Sequence, residues 1–122
     1  METRGLVERD PTHLLTVYDP GCPKQRLGNI GDGGYVIATG FEYDFFISCG
    51  IANEFAFDSE FIAQYKVAGA AFDGTVKRPF GFPAQIEFTR KNIGINAGEE
   101  NLHALLGAHA KVFLKMDIEG GE

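Results

Sequence analysis

Four short apolar runs, separated by stretches of a different rhythm, constrain this chain more than any other feature. Tyr43–Cys49 (YDFFISC), Lys66–Phe72 (KVAGAAF), Ala84–Arg90 (AQIEFTR) and Val112–Met116 (VFLKM) have strand length and strand composition. In the third, Ile86 and Phe88 alternate with Gln85, Glu87 and Thr89; in the fourth, only Lys115 interrupts a strand that could be buried on both faces. Between the first two, Phe57, Phe61 and Tyr65 fall four apart with Ile62 beside them, so Glu54 to Tyr65 reads as an amphipathic helix. Between the last two, Glu99 to His109 reads as a second helix, with acids in its first turn and Leu102, Leu105, Leu106 and His109 on one face. Strands alternating with helices predict an α/β domain built on a mainly parallel sheet.

The first 40 residues follow a different pattern. Asp10-Pro11, Asp19-Pro20-Gly21 and Pro23 are turn signals, with a short element over His13 to Tyr18. RLGNIGDGGYVIATG then reads as a hairpin with a glycine-rich tip. The expected organisation is one domain over 1–122, with an irregular region and hairpin over 1–40 and the βαβ core over 41–122.

A chain of 122 residues with 44% hydrophobic content supports one core. A net charge of −6 without a cluster of Lys and Arg argues against nucleic acid as a partner. The charged start and the absence of a long apolar run argue against a membrane, so a soluble, cytoplasmic protein is expected. Cys22 and Cys49 match no zinc or redox spacing and read as plain thiols, Cys49 as a small buried residue at a strand end. His13, His103 and His109 share no metal-ligand spacing and read as structural or surface residues.

Parallel α/β sheets bind ligands beyond the carboxyl ends of their strands. Gly50 to Glu54, Asp73, and Asp117 with Glu119 occupy those positions. Gly50 opens a turn into a helix whose N-terminal N–H groups could face a ligand, unless it only ends a strand. Asp73, roughly 20 residues on, stands where a carboxylate can accept both hydroxyls of a ribose, or else it is an ordinary Asp-Gly turn. The stretch Gly50-Ile51-Ala52-Asn53-Glu54-Phe55 lacks the further glycines of a dinucleotide fingerprint. DIEGGE fails as a calcium loop, because Glu122 stands where that loop needs glycine.

RLGNIGDGGYVI (Arg26 to Ile37), FISCGIANEFAFDSEF (Phe46 to Phe61), AAFDGT (Ala70 to Thr75), FTRKNIGI (Phe88 to Ile95) and FLKMDIEGGE (Phe113 to Glu122) together resemble the FkbM-type S-adenosylmethionine-dependent methyltransferases. The resemblance runs from about Arg26 to the end, and its most specific part is the last motif. It implies a Rossmann-like sheet with S-adenosylmethionine over Gly50, Ile51, Ala52 and Asn53, its ribose on Asp73, and Asp32 and Tyr35 covering it. It implies methyl transfer, most often to a hydroxyl of a sugar, glycan or other small metabolite. Asp117 and Glu119 are then a catalytic base or metal-holding carboxylates, with a divalent metal left open; an acidic turn that only solvates itself is the plainer alternative.

Methyltransferases of this type look seven-stranded, so the chain is expected to be a fragment or truncation after the fourth central strand. That strand would be an uncovered edge, open to pairing with a second copy. Two other readings compete: a nicotinamide-dependent oxidoreductase half-domain, and a non-catalytic binding or assembly module.

Overall fold

The computed structural model describes residues 15 and 19–118. Six strands and two helices follow in order: β1 (Lys24–Leu27), β2 (Tyr35–Ala38), β3 (Phe45–Cys49), α1 (Ala56–Tyr65), β4 (Ala68–Phe72), β5 (Ile86–Thr89), α2 (Leu102–Leu106) and β6 (Val112–Met116). β1 and β2 pair antiparallel as a hairpin. The other four strands form one parallel sheet in the order β5-β4-β3-β6. The expected mainly parallel α/β sheet with flanking helices and a preceding hairpin is therefore present. The short element expected over His13 to Tyr18 lies outside the described residues, apart from Leu15.

Strand β3 is the axis of the domain. Phe46, Ile47, Ser48 and Cys49 are all fully buried, because β4 and β6 flank the strand and both faces are covered. On one face, Phe57, Phe61 and Ile62 of α1 pack on Phe46, Ala71 and Ile86, joined by Leu27 and Ile37 of the hairpin. The spacing of four that marked α1 in sequence is the stripe it buries. On the other face, Ile47, Cys49, Phe72 and Ile93 form a smaller core, over which Leu102 and Leu105 pack in part.

Four local expectations shift. Strand β4 starts at Ala68, because Lys66 takes a left-handed conformation (φ 54°) and its N–H closes α1 on the Ile62 carbonyl. Helix α2 is only five residues long and no acid lies in its first turn. Asn101 caps it instead, its side chain accepting the His103 N–H at 2.9 Å, while Glu99 accepts the Asn96 N–H in the preceding loop. Leu106 is exposed, and His109 leaves the helix to stack on Phe45 with ring centroids 3.8 Å apart. Strand β6 is half-buried at most positions, not buried on both faces, because it is an edge of the described sheet.

Both cysteines are free thiols. Burial pushes the Cys49 thiol up to about 11, against a weaker opposing pull from Lys115, so it stays protonated and inert near neutrality. Among the described residues, no helix is long and apolar enough to cross a membrane.

Phe61 lies fully buried between Phe46, Tyr65 and Phe113, with ring centroids 4.5 to 4.7 Å away. Phe61→Ala is expected to cost about 3–5 kcal/mol of unfolding free energy, measured by urea titration. Leu114→Ala, at an exposed edge position, should cost less than about 1 kcal/mol; equal losses would contradict this assignment of the core.

Candidate functional site

The order β5-β4-β3-β6 reverses the direction of winding between β3 and β6, whose carboxyl ends therefore lie side by side with no helix crossing between them. In an open parallel sheet this switch point is where a crevice forms. Asp32, Tyr35, Gly50, Ile51, Ala52, Asp73 and Asp117 all line one cavity there, of about 610 Å³. Asn53 is exposed and does not line it. Glu119 lies outside the described residues.

The cavity floor is the turn after β3, and Gly50 is required there for a reason other than ligand approach. Its φ is +81°, and a Cβ would collide with the carbonyl oxygen of Asp117 and stand 3.0 Å from the Ile118 side chain. The Asp117 N–H in turn donates to the Cys49 carbonyl at 2.9 Å. The glycine is thus fixed by the close passage of the chain leaving β6. Two residues on, Ala52 holds φ +49°, a left-handed conformation that costs a non-glycine residue about 1–2 kcal/mol.

Asp73 holds this turn. Its Oδ2 accepts the Ile51 and Ala52 N–H groups at 2.9 and 2.7 Å, and its Oδ1 accepts the Thr75 N–H and hydroxyl at 2.8 and 2.5 Å. A carboxylate has about four such acceptor positions, and the chain itself fills four. Burial alone would push the Asp73 carboxyl up; the hydrogen bonds from Thr75, Ala52 and Ile51 outweigh it and hold the group below its ordinary value. The free N–H groups expected at the turn are likewise engaged, since the Ala56 N–H also donates to Glu54 Oε1 at 2.9 Å. A diol at Asp73 would have to displace or share the Thr75 hydroxyl.

The hairpin forms the opposite wall. Its loop, 28–34, is longer than the tight turn that Asp-Gly signals, and Arg26 organises it by donating to the Asn29 and Gly31 carbonyls at 2.9 Å each. The loop docks on α1 and the turn before it: Asn29 donates to Glu54 Oε2 at 2.5 Å, and the Gly28 N–H donates to Glu60 in the helix. Tyr35 then spans the cleft, its hydroxyl donating to Asp117 Oδ2 at 3.0 Å. Burial, followed by this bond and the negative charges of Asp117, Asp32 and Asp58, raises the Tyr35 phenol above its ordinary value, so it stays a donor.

Sequence reasoning placed Glu54 at this edge but missed Thr75, Glu99, Asn92 and Lys115, all of which line the cavity. Asp-Gly-Thr is the signature of a side chain bonding its own backbone two residues on, which could have marked Thr75. A lysine inside an apolar strand demands a counter-charge, which could have marked Lys115. Among the described residues, no group of three or more His, Cys, Asp or Glu is arranged to hold a metal ion.

No family model, curated protein or solved structure matches the chain.

Two outcomes follow from the turn. Gly50→Ala should lose at least about 2 kcal/mol of stability in chemical denaturation, whereas Ala52→Gly should stay within about 1 kcal/mol of the parent. Because the Asp73 carboxyl is lowered on folding, its contribution is present above the unfolded value near 3.9 and lost as pH falls below it through the folded value. Urea unfolding between pH ~5 and ~2 should therefore fall more steeply for the parent than for Asp73→Asn. Parallel curves would contradict the clamp.

Proposed function

We propose that this chain is the cofactor-binding part of an S-adenosylmethionine-dependent methyltransferase with a Rossmann-like sheet, directed to a hydroxyl of a sugar or other small metabolite. The observation that carries the reading is the cleft at the switch point between β3 and β6, into which six of the seven residues expected to bind the cofactor converge with Asp117. The residues present fit the group. A cavity of about 610 Å³ falls within the usual range for a ligand of this size, roughly 300–1,000 Å³. Ile51, Ile93 and Ile118 offer apolar contact for a flat ring, and the acids Asp32, Glu54 and Asp117 offer acceptors and a negative field for a sulfonium.

When bound, S-adenosylmethionine supplies an electrophilic methyl group that leaves for the acceptor oxygen while the C–S electron pair stays on sulfur. The task of the chain is to hold both partners in line, which can supply much of the rate. Asp117 is the candidate base: Tyr35 engages its Oδ2 and orients the carboxylate, leaving Oδ1 to take the acceptor's proton. A positioned base of this kind contributes about 10²- to 10⁴-fold. The Asp73 clamp keeps the turn in a conformation its backbone resists, so the floor is shaped before a ligand arrives.

One observation favours the non-catalytic alternative, the complete engagement of Asp73 by the chain's own donors. Titration calorimetry separates the readings. S-adenosylmethionine should bind at one site per chain and NADH should fail to compete. Preference for NADH would favour the oxidoreductase, and silence towards both nucleotides with a stable dimer in sedimentation would favour an assembly module.

A further inference from the structure

Among the described residues lining the cleft, Lys115 is the one basic residue, alongside the acids Asp32, Glu54, Asp73, Glu99 and Asp117. It also lines a smaller apolar cavity of about 260 Å³ next to it, together with Tyr35, Phe57 and Phe113, and so stands at the junction of the two. Its side chain is only 10% exposed, and its Nζ donates to Asp58 Oδ1 at 2.9 Å, where Asp58 is fully buried at the first turn of α1. The register of β3 and β6 puts Lys115 beside Ser48, also fully buried. Ser48 Oγ and Asp58 Oδ2 have no hydrogen-bond partner among the described residues.

This pair is a poor device for stability alone. Removing a lysine and an aspartate from water costs several kcal/mol per ion, and apolar residues of similar size commonly hold a fold as well. An ammonium has three donors, and one of them goes to Asp58. Asp58 keeps the cation fixed at a wall of a cavity whose other charges are negative. That field accepts a positive group, and Lys115, its charge offset by Asp58, is the lining side chain whose remaining ammonium N–H groups suit an anion.

Resting on the methyltransferase reading, we infer that Lys115, fixed by Asp58, binds the α-carboxylate of the methionine moiety, so that the cleft selects a ligand bearing both a cationic and an anionic group. The acids across the cavity face the sulfonium and ammonium, and Lys115 receives the carboxylate. Asp58 is a positioning residue in this arrangement.

The test is calorimetry with two probes that differ by one group, S-adenosylhomocysteine and its decarboxylated analogue, which keeps the amine. A charge-assisted hydrogen bond predicts that the parent protein binds S-adenosylhomocysteine about 10- to 100-fold more tightly. Lys115→Met should lose that preference while binding the decarboxylated probe within about 3-fold of the parent. Should Lys115→Met fail to fold with Asp58 left uncompensated, the pair Lys115→Met with Asp58→Asn removes both charges and makes the same comparison. Equal binding of both probes by the parent overturns the assignment without any variant. A preference that survives in the variants overturns it while leaving the cofactor reading intact. Binding of neither probe by the parent overturns both.

Discussion

The carboxylate of Asp73 is the interaction on which the rest of the cleft depends. One side chain at the end of β4 gathers the Ile51 and Ala52 N–H groups from the end of β3 and ties down Thr75 beyond its own strand. Without it, the left-handed Ala52 would have no evident reason to persist, and the turn would lose the shape that lets Gly50 pass under the Asp117 carbonyl. Three strand ends, those of β3, β4 and β6, are thereby locked into one surface. The same bonds that hold the turn keep the carboxylate ionised, so structure and charge at the cleft floor have one source.

The opposite wall is built from long-range contacts of a different kind. Glu54 is central to it: one oxygen accepts the Ala56 N–H at the start of α1 and the other receives Asn29 from the hairpin loop. Arg26 stiffens that loop from inside, and Tyr35 closes the cleft by reaching Asp117. The hairpin is therefore part of the site. Its loop, the turn leading into α1 and β6 meet around the cavity, and among the described lining residues Lys115, held by Asp58, is the one basic group.

Much of this was legible in the amino-acid order. Strand β6 was readable to the residue, and α1 was readable because Phe57, Phe61 and Ile62 repeat at the period of the surface they bury. The convergence of Gly50, Asp73 and Asp117 was readable because strand ends in a parallel sheet share one edge. Local competition was harder to read: Asn101 displaced the acids expected to start α2, and Lys66 ended α1 where a strand was expected to begin. The roles of individual atoms were hidden altogether. Asp73 could be placed near a ligand from its spacing, but its four protein donors come from Ile51, Ala52 and Thr75, and only folding shows that its oxygens are already engaged. Gly50 was expected to admit a ligand, yet the contact that demands it comes from Asp117, far along the chain.

The proposed function makes the cleft between β3 and β6 an adenosyl-binding site. Backbone amide NMR on S-adenosylhomocysteine addition tests it most directly, because the amides of Ile51, Ala52 and Thr75 report on the clamp itself. The account predicts saturable shifts concentrated at residues 32–35, 50–54, 73–75, 92–93 and 115–118, with the Thr75 amide among the most affected as its bond to Asp73 adjusts. Saturable shifts elsewhere on the sheet, or an unchanged spectrum at millimolar ligand, would contradict it.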